Sequence, residues 1–437
     1  MNNFKKTTLS LVTAVAIGFT GCGSSSTDAG VTTDNTPLPT DTTTNNTPST
    51  DTTLPASITT DMHLTSDKVW LLDGKVIVSN NATLTIDAGT TIAGNTPASF
   101  LAIAAGSKLN AIGTLDKPIT FTSKKDVDGL SSDNSQGEWG GLILAGNAYT
   151  HYSNNVYEAD PTINFGSADH AHDGDSSGDL EYVAIKHTGF KVSLDKELNG
   201  LSLAGVGSGT KIENIAIIGG ADDAIEIWGG TVNLKNVYLY NGSDDSVDTD
   251  LGYRGTWENV LVQQVKLDSY NNHDSAAMET GNDGDTITTD DTNATQVHII
   301  NMTAYVKGAD VSMKFDAGVI LENVKFISDN VEIGSAVYYR GADVVNTGAM
   351  HVDGAVEFYN SNHALTADNA YAKINNKNDD NLTTAFSDWT LVAGHTALHM
   401  GSAGSYALDK NTIPGVNEAN IWKGKAGTND PLEDKTK

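Results

Sequence analysis

The chain has one cysteine in 437 residues, so no internal disulfide can staple it and packing must hold the fold. It is also short of positive charge. Lys and Arg number 26 against 55 Asp and Glu, the net charge is −29, and Arg254 and Arg340 are the only arginines. That balance argues against nucleic acid or anionic lipid headgroups as partners, and suits cations and neutral or cationic partners. Long hydrophobic runs are missing too. The apolar stretch "LSLVTAVAIGFTG" after Lys5 and Lys6 has thirteen residues, too few to span a bilayer as a mature helix. No apolar pattern of period 3.6 persists, which excludes helical repeats.

What the N-terminus does have is the layout of an export signal. It ends at Cys22 in "FTGC", which resembles the bacterial lipobox, with Phe19 in place of the usual Leu. The resemblance implies cleavage before Cys22 and a mature N-terminus carrying fatty acyl chains of the palmitate type. Gly23 at the next position implies sorting to the outer membrane. Residues 1–21 are thus expected to be a lipoprotein signal peptide. Loss of Lys5 and Lys6 would take the charge to about −31. Residues 22–57 are rich in Ser, Thr, Asp and Pro and bury too little to fold. They read as a tether reaching roughly 30–35 Å from the membrane.

From residue 58 a repeat emerges. "KIENIAII", "NLKNVYLY", "TWENVLVQ", "HIINMTAY" and "ILENVKFI" align on Asn214, Asn236, Asn259, Asn301 and Asn323, with Tyr182 in a variant unit. The gaps are 22, 23, 42 and 22 residues, the long one holding the polar insertions "YNNH" and "GNDGDTITTDDTN". Coils of about 22 residues with short alternating strands predict an all-β fold, a parallel β-helix over residues 58–363, with Asn side chains stacked as an amide ladder. A β-sandwich with coincidental asparagines is the alternative. "NATLTIDAGTTIAG", "LNGLSLAGVGSGT" and "DDAIEIWGGTVNLK" resemble a family of bacterial exported right-handed parallel β-helix proteins, many of them surface lipoproteins. The resemblance covers about residues 66–260 and implies the fold; it brings no established biochemical role. Residues 364–437 lose the repeat and are expected to be a cap or small module, with Trp389 and Trp422 over the open end of the stack.

Aligning coils on asparagine turns local acidic runs into columns. "DDAIEIW" falls beside "DDSVDTD", pairing Asp222 with Asp244, Asp223 with Asp245, Glu226 with Asp248 and Trp228 with Asp250. Asp274 and Asp310 are expected to extend one column. Two carboxylates one coil apart repel by roughly 3 kcal/mol at an effective dielectric of 20. Calcium, which takes six to eight oxygens, is one remedy, with Asp222, Asp223, Glu226, Asp244, Asp245, Asp248 and Asp250 as candidate ligands. The other reading is turn chemistry, with Asp side chains capping backbone amides and their charges solvated. A second candidate calcium loop is "DGDSSGD", with Asp173, Asp175 and Asp179, although Ala184 stands where an EF-hand has its bidentate Glu. His170 and His172 alternate and, on a strand, could share a transition metal.

Three function classes remain open. The leading one is a cell-surface binding or adhesion module directed at an extracellular glycan or a surface partner, with Trp228, Tyr253 and Trp257 (also Trp139 and Tyr270) as stacking candidates. The second is a polysaccharide lyase or hydrolase acting on an acidic glycan: Arg254 is the candidate base of a lyase, and Asp223 with Asp245, or Asp245 with Asp248, the candidate acid–base pair of a hydrolase. Scarce basic residues and the absence of the GHG and RIK motifs of pectin hydrolases weigh against catalysis. The third is a purely structural envelope protein.

Overall fold

Two residue properties build each coil: β-branched side chains at alternate positions, and asparagine where the chain must turn a corner. The computed structural model describes residues 51–152, 155–192, 196–265, 276–281, 293–307 and 416–428, and the backbone of further strands between 313 and 385. Its strands form a 15-stranded and a 12-stranded sheet, parallel along the stack except at the last pair, Tyr371–Asn376 with Asp379–Ala385. The protein is a right-handed parallel β-helix: the repeat predicts the parallel solenoid, and the family resemblance its hand.

In the 15-stranded sheet each long strand bends at its middle, so it is called here the bent sheet. The bend residues have positive φ: Tyr182 (49°), Asn214 (54°), Asn236 (56°), Asn259 (62°) and Asn301 (58°). Asparagine tolerates this left-handed region better than other side chains, which explains its recurrence. The expected amide ladder is present. Asn236 Nδ2 donates to Asn214 Oδ1 at 3.1 Å, Asn259 to Asn236 at 3.0 Å, and Asn301 to Asn259 at 3.0 Å. The side chain of Asn323 lies outside the described residues.

The 12-stranded sheet is straight and forms the remaining wall. Between the walls lies one apolar core of stacked columns, such as Ile212, Leu234, Trp257 and Ile299. Thr52 and Thr53 already pair with Trp70 and Leu71, and Leu54 is buried, so the ladder starts before residue 58. A composition rule misses this, because backbone pairing needs no apolar side chain. At the other end Tyr371–Asn376 continues the straight sheet past residue 363. The expected signal peptide and most of the expected tether, with Cys22, lie outside the described residues, as does Trp389.

Residues 416–428 do not close the end of the stack over Trp422. They run back along the outer face of the bent sheet. Val416 N–H donates to Thr303 Oγ1 at 3.2 Å, Tyr305 Oη donates to Glu418 at 2.7 Å, and Trp422 lies edge-on to Tyr182 at 5.5 Å. Gly427 N–H reaches Leu115 O at 2.7 Å. The track works because Ala184 and Ala216 are small, and Gly424 (φ +81°) brings its backbone down between Ala216 and Ile218. Among the described residues no helix is long and apolar enough to cross a membrane.

Candidate metal centre

The site grows from strand parity and register. Ile225–Gly230 and Val247–Asp250 point Ile225, Ile227, Val247 and Thr249 into the core, leaving Glu226, Trp228, Asp248 and Asp250 outside. Glu226 sits beside Asp248 and Trp228 beside Asp250, in the register that the asparagine alignment predicts. The next outward residue is Glu279, paired with Asp248. Asp274 and Asp310 lie outside the described residues.

Each aspartate pair occupies the turn before its strand, and the two members divide. Asp223 and Asp245 are 8% and 2% exposed, too little for bulk water to solvate them. Asp245 N–H donates to Asp223 Oδ1 at 2.9 Å, and Ala276 N–H donates to Asp245 Oδ1. The amide-capping chemistry is therefore real, and it ties each coil to the next. It does not neutralise the charge. One oxygen from each of Asp222, Asp223 and Asp244 lies within 4.8 Å of the others, and the same holds for Asp223, Glu226 and Asp248. Asp223 belongs to both groups.

The surroundings sharpen the problem. Burial, with Glu197, Asp244 and Glu158 adding repulsion, pushes Asp222 up to about 8. Burial and neighbouring carboxylates hold Asp223 and Glu226 well above the carboxylate range; the charged groups bearing on them are Asp222, Asp245, Asp248 and Glu158. Asn199, 2% exposed, donates its amide N–H to Glu226 Oε2, while its own Oδ1 is buried with no donor. Carboxylate oxygens thus converge on one place. That donor set fits a hard cation such as calcium.

The profile of the pectate-lyase-like β-helix domain matches residues 56–398. The chain belongs to this family. No curated protein matches the chain, and no solved structure does.

On this pectate-lyase-like β-helix the other expected site residues fall elsewhere. Asp245 precedes Val247–Asp250 and Arg254 follows it. The guanidinium of Arg254 donates to Ala294 O and Gln296 Oε1, each at 3.1 Å. Asp250 caps the turn by accepting from Leu251 N–H, and it belongs to neither acidic group. Tyr253 and Trp257 are fully buried; Tyr253 Oη donates to Val232 O at 2.7 Å and accepts from Trp257 Nε1 at 2.9 Å. Trp139 is likewise buried, with Nε1 on Lys186 O. Of the described stacking candidates only Trp228 faces outward, edge-on to Tyr157 at 5.3 Å. Tyr270 is outside the described residues.

The "DGDSSGD" loop does not gather its acids. Asp173 accepts from Tyr149 N–H at 2.9 Å and pairs with His170 at 2.7 Å, Asp175 lies 3.4 Å from His172, and Asp179 sits on a strand beside Lys211. Its backbone instead takes Ser208 and Gly209 N–H. His170–His172 is a 3₁₀ turn rather than a strand, so the two imidazoles do not share a face.

Sequence reasoning missed Glu158, Glu197 and Asn199. Glu158 and Glu197 reach the acidic turn from a hairpin and a loop outside the repeat, whereas Asn199 stands one coil before Asp223 in the column of Asp223 and Asp245, a position that the count back from Leu201 marks.

Proposed function

We propose that this β-helix is a calcium-dependent, carbohydrate-directed binding module of the cell envelope, tethered through a lipid on Cys22. One observation carries the calcium reading: Asp223 is buried, shared by two groups of three carboxylates, and surrounded by further negative charge. Such an array needs protons or a cation, and the backbone and Asn199 donors on Asp223 and Glu226 leave both carboxyls shifted upward. Asp223, Glu226 and Asp248 would hold one ion, with Asp222 and Asp244 supporting a second. A bound ion would present positive charge beside outward-facing Trp228, a pairing suited to a sugar ring bearing oxygen ligands. Membership of a pectate-lyase-like family supports a polysaccharide partner. Binding is favoured over lyase turnover because the Arg254 guanidinium is engaged beyond the far end of the strand.

Calorimetric titration with calcium should give heat and a rise in melting temperature that EDTA reverses. No heat and no shift at millimolar calcium would sink the reading. Glycan binding with and without calcium, alongside an assay for unsaturated uronate products, separates a binder from a lyase.

A further inference from the structure

The outer face of the straight sheet changes character at a single rung. Ala102, Ile143 and Ser202 form one outward column, Ala145 and Ala204 the next, and all five are buried. Their cover is a hairpin with no counterpart in the repeat, Asn155–Tyr157 paired with Asp160–Phe165. Its Ile163 and Phe165 share one buried cluster with Ile143, Ala145 and Ala204. The two columns then continue as Glu226, Asp248 and Glu279 and as Trp228 and Asp250, and these five are half-buried.

Where the cover stops, it stands as a wall. Tyr157 Oη meets Ser202 Oγ at 3.0 Å, one rung before Glu226. Trp228 lies edge-on to Tyr157 at 5.3 Å and tilted to Phe165 at 6.5 Å. Asp160 pairs with Lys75 at 2.9 Å, and Glu158 Oε1 accepts from Glu197 N–H at 3.1 Å, so the wall is fixed in place. Residues 149–152 border the open rungs at the C-terminal ends of the straight strands. There Gly230 N–H donates to Tyr149 O at 2.6 Å, and His151 N–H to Leu251 O at 3.1 Å. At the other ends of the strands stands the segment of Phe190 and Leu198, which exchange backbone hydrogen bonds of 3.1 and 3.0 Å. Among the described residues six large apolar side chains are exposed, and three of them, Tyr152, Val156 and Val192, belong to these three borders. Exposed apolar residues scattered singly need no explanation, but three gathered around one face mark a contact surface.

We infer that this walled bay takes the end of a glycan chain rather than its interior. The Trp228 ring suits the apolar face of a sugar, and the carboxylates of Glu226, Asp248 and Asp250 beside it accept hydroxyl hydrogens. The pectate-lyase-like family supports a polysaccharide as the source of that sugar. Toward the early coils a sugar on Trp228 meets Tyr157 and Phe165, and the two side borders keep the chain along the rod. The chain therefore stops at this rung, and its remaining sugars run over Asp250, away from the hairpin. The inference rests on the carbohydrate reading above and adds which part of the ligand is recognised.

The test titrates oligogalacturonates of graded length onto the full chain in calcium. Protein bound at saturation should stay near one molecule per glycan chain as length grows. A bulky label on the reducing sugar, or an unsaturated sugar at the non-reducing end, should lower affinity at least tenfold for one of the two ends, at every length. Trp228→Ala should weaken binding at least tenfold, which places the chain end on this rung. Protein bound in proportion to chain length, indifference to both end modifications, or unchanged affinity in Trp228→Ala would overturn the inference and leave carbohydrate binding standing. No binding at any length would remove both.

Discussion

Two buried anionic regions of this β-helix are built on opposite plans. Asp126, at the start of a short helix, accepts from Thr122 Oγ1 at 2.7 Å and Lys186 Nζ at 2.8 Å, with His187 Nε2 3.4 Å away. Burial alone would push Asp126 up, yet His187, Lys186 and Thr122 outweigh it and hold the carboxyl well below the usual range. Beside it Glu138 takes hydroxyl hydrogens from Ser123 and Ser131. At the acidic turn burial and repulsion act together, and Asp222, Asp223 and Glu226 all shift upward. Nature's usual answer to a buried carboxylate, a donor or a cation from the protein itself, is in place at the first region. At the second region the described donors, Asp245 N–H on Asp223 and the Asn199 amide on Glu226, do not outweigh burial and repulsion. On the reading proposed above, that contrast separates an internal fastening from a site for an external cation.

The comparison breaks most sharply at Asp223. Asp223→Asn should weaken calcium binding at least 100-fold in calorimetry, because both groups lose their shared carboxylate. In EDTA the same change should raise the melting temperature rather than lower it, since the amide keeps an acceptor for Asp245 N–H. Asp126→Asn should do the reverse. It strands Lys186 and His187 and should cost about 1–2 kcal/mol in urea unfolding, a value reduced from fully buried pairs because Asp126 and Lys186 are partly exposed. Calcium affinity should be unchanged.

The pH dependences should run in opposite directions. Asp126 is lowered in the folded state, so its contribution is complete above the ordinary Asp range and is lost as pH falls. The advantage of wild type over Asp126→Asn should therefore shrink on acidification. Asp222 is raised to about 8, so the folded state binds its proton more tightly than the unfolded chain does. Cation-free melting temperatures should fall as pH rises from the ordinary carboxylate range through about 8, and calcium should flatten that decline. The smallest effect is expected from Thr122→Val, about 1 kcal/mol of stability, from losing one hydrogen bond to a charged acceptor.

Much of this was legible because stacking repeats its demands. The left-handed corner recurs once per coil, asparagine fills it at low cost, and counting from Asn214 to Asn236 sets Glu226 against Asp248. The same count could have placed Trp257. Two residues before Asn259, it stands in the column of Ile212 and Leu234, which points inward. The count fails after Asp248, whose partner Glu279 comes 31 residues later, because inserted residues shift the frame. Two walls of the site were illegible for another reason: Glu158 and Glu197 are carried by chain that belongs to no coil, so tertiary packing alone brings them in. Asn199 was legible, since it stands two residues before Leu201 as Asp223 does before Ile225, one rung earlier in the same column.

The strap of residues 416–428 changes how the rod answers to force. A solenoid held by neighbour contacts alone can peel, one coil after another, from a loaded end. Here one continuous stretch of backbone ties the coil of Thr303 to that of Leu115, crossing Leu261, Tyr238, Ala216 and Ala184 on the way. The span is roughly 24 Å at one strand spacing per coil. Tension arriving at either end is shared across the spliced coils, and the acidic turn of Asp222 and Asp244 lies within them. A load-bearing splint thus runs along the length of rod on which any ligand would pull.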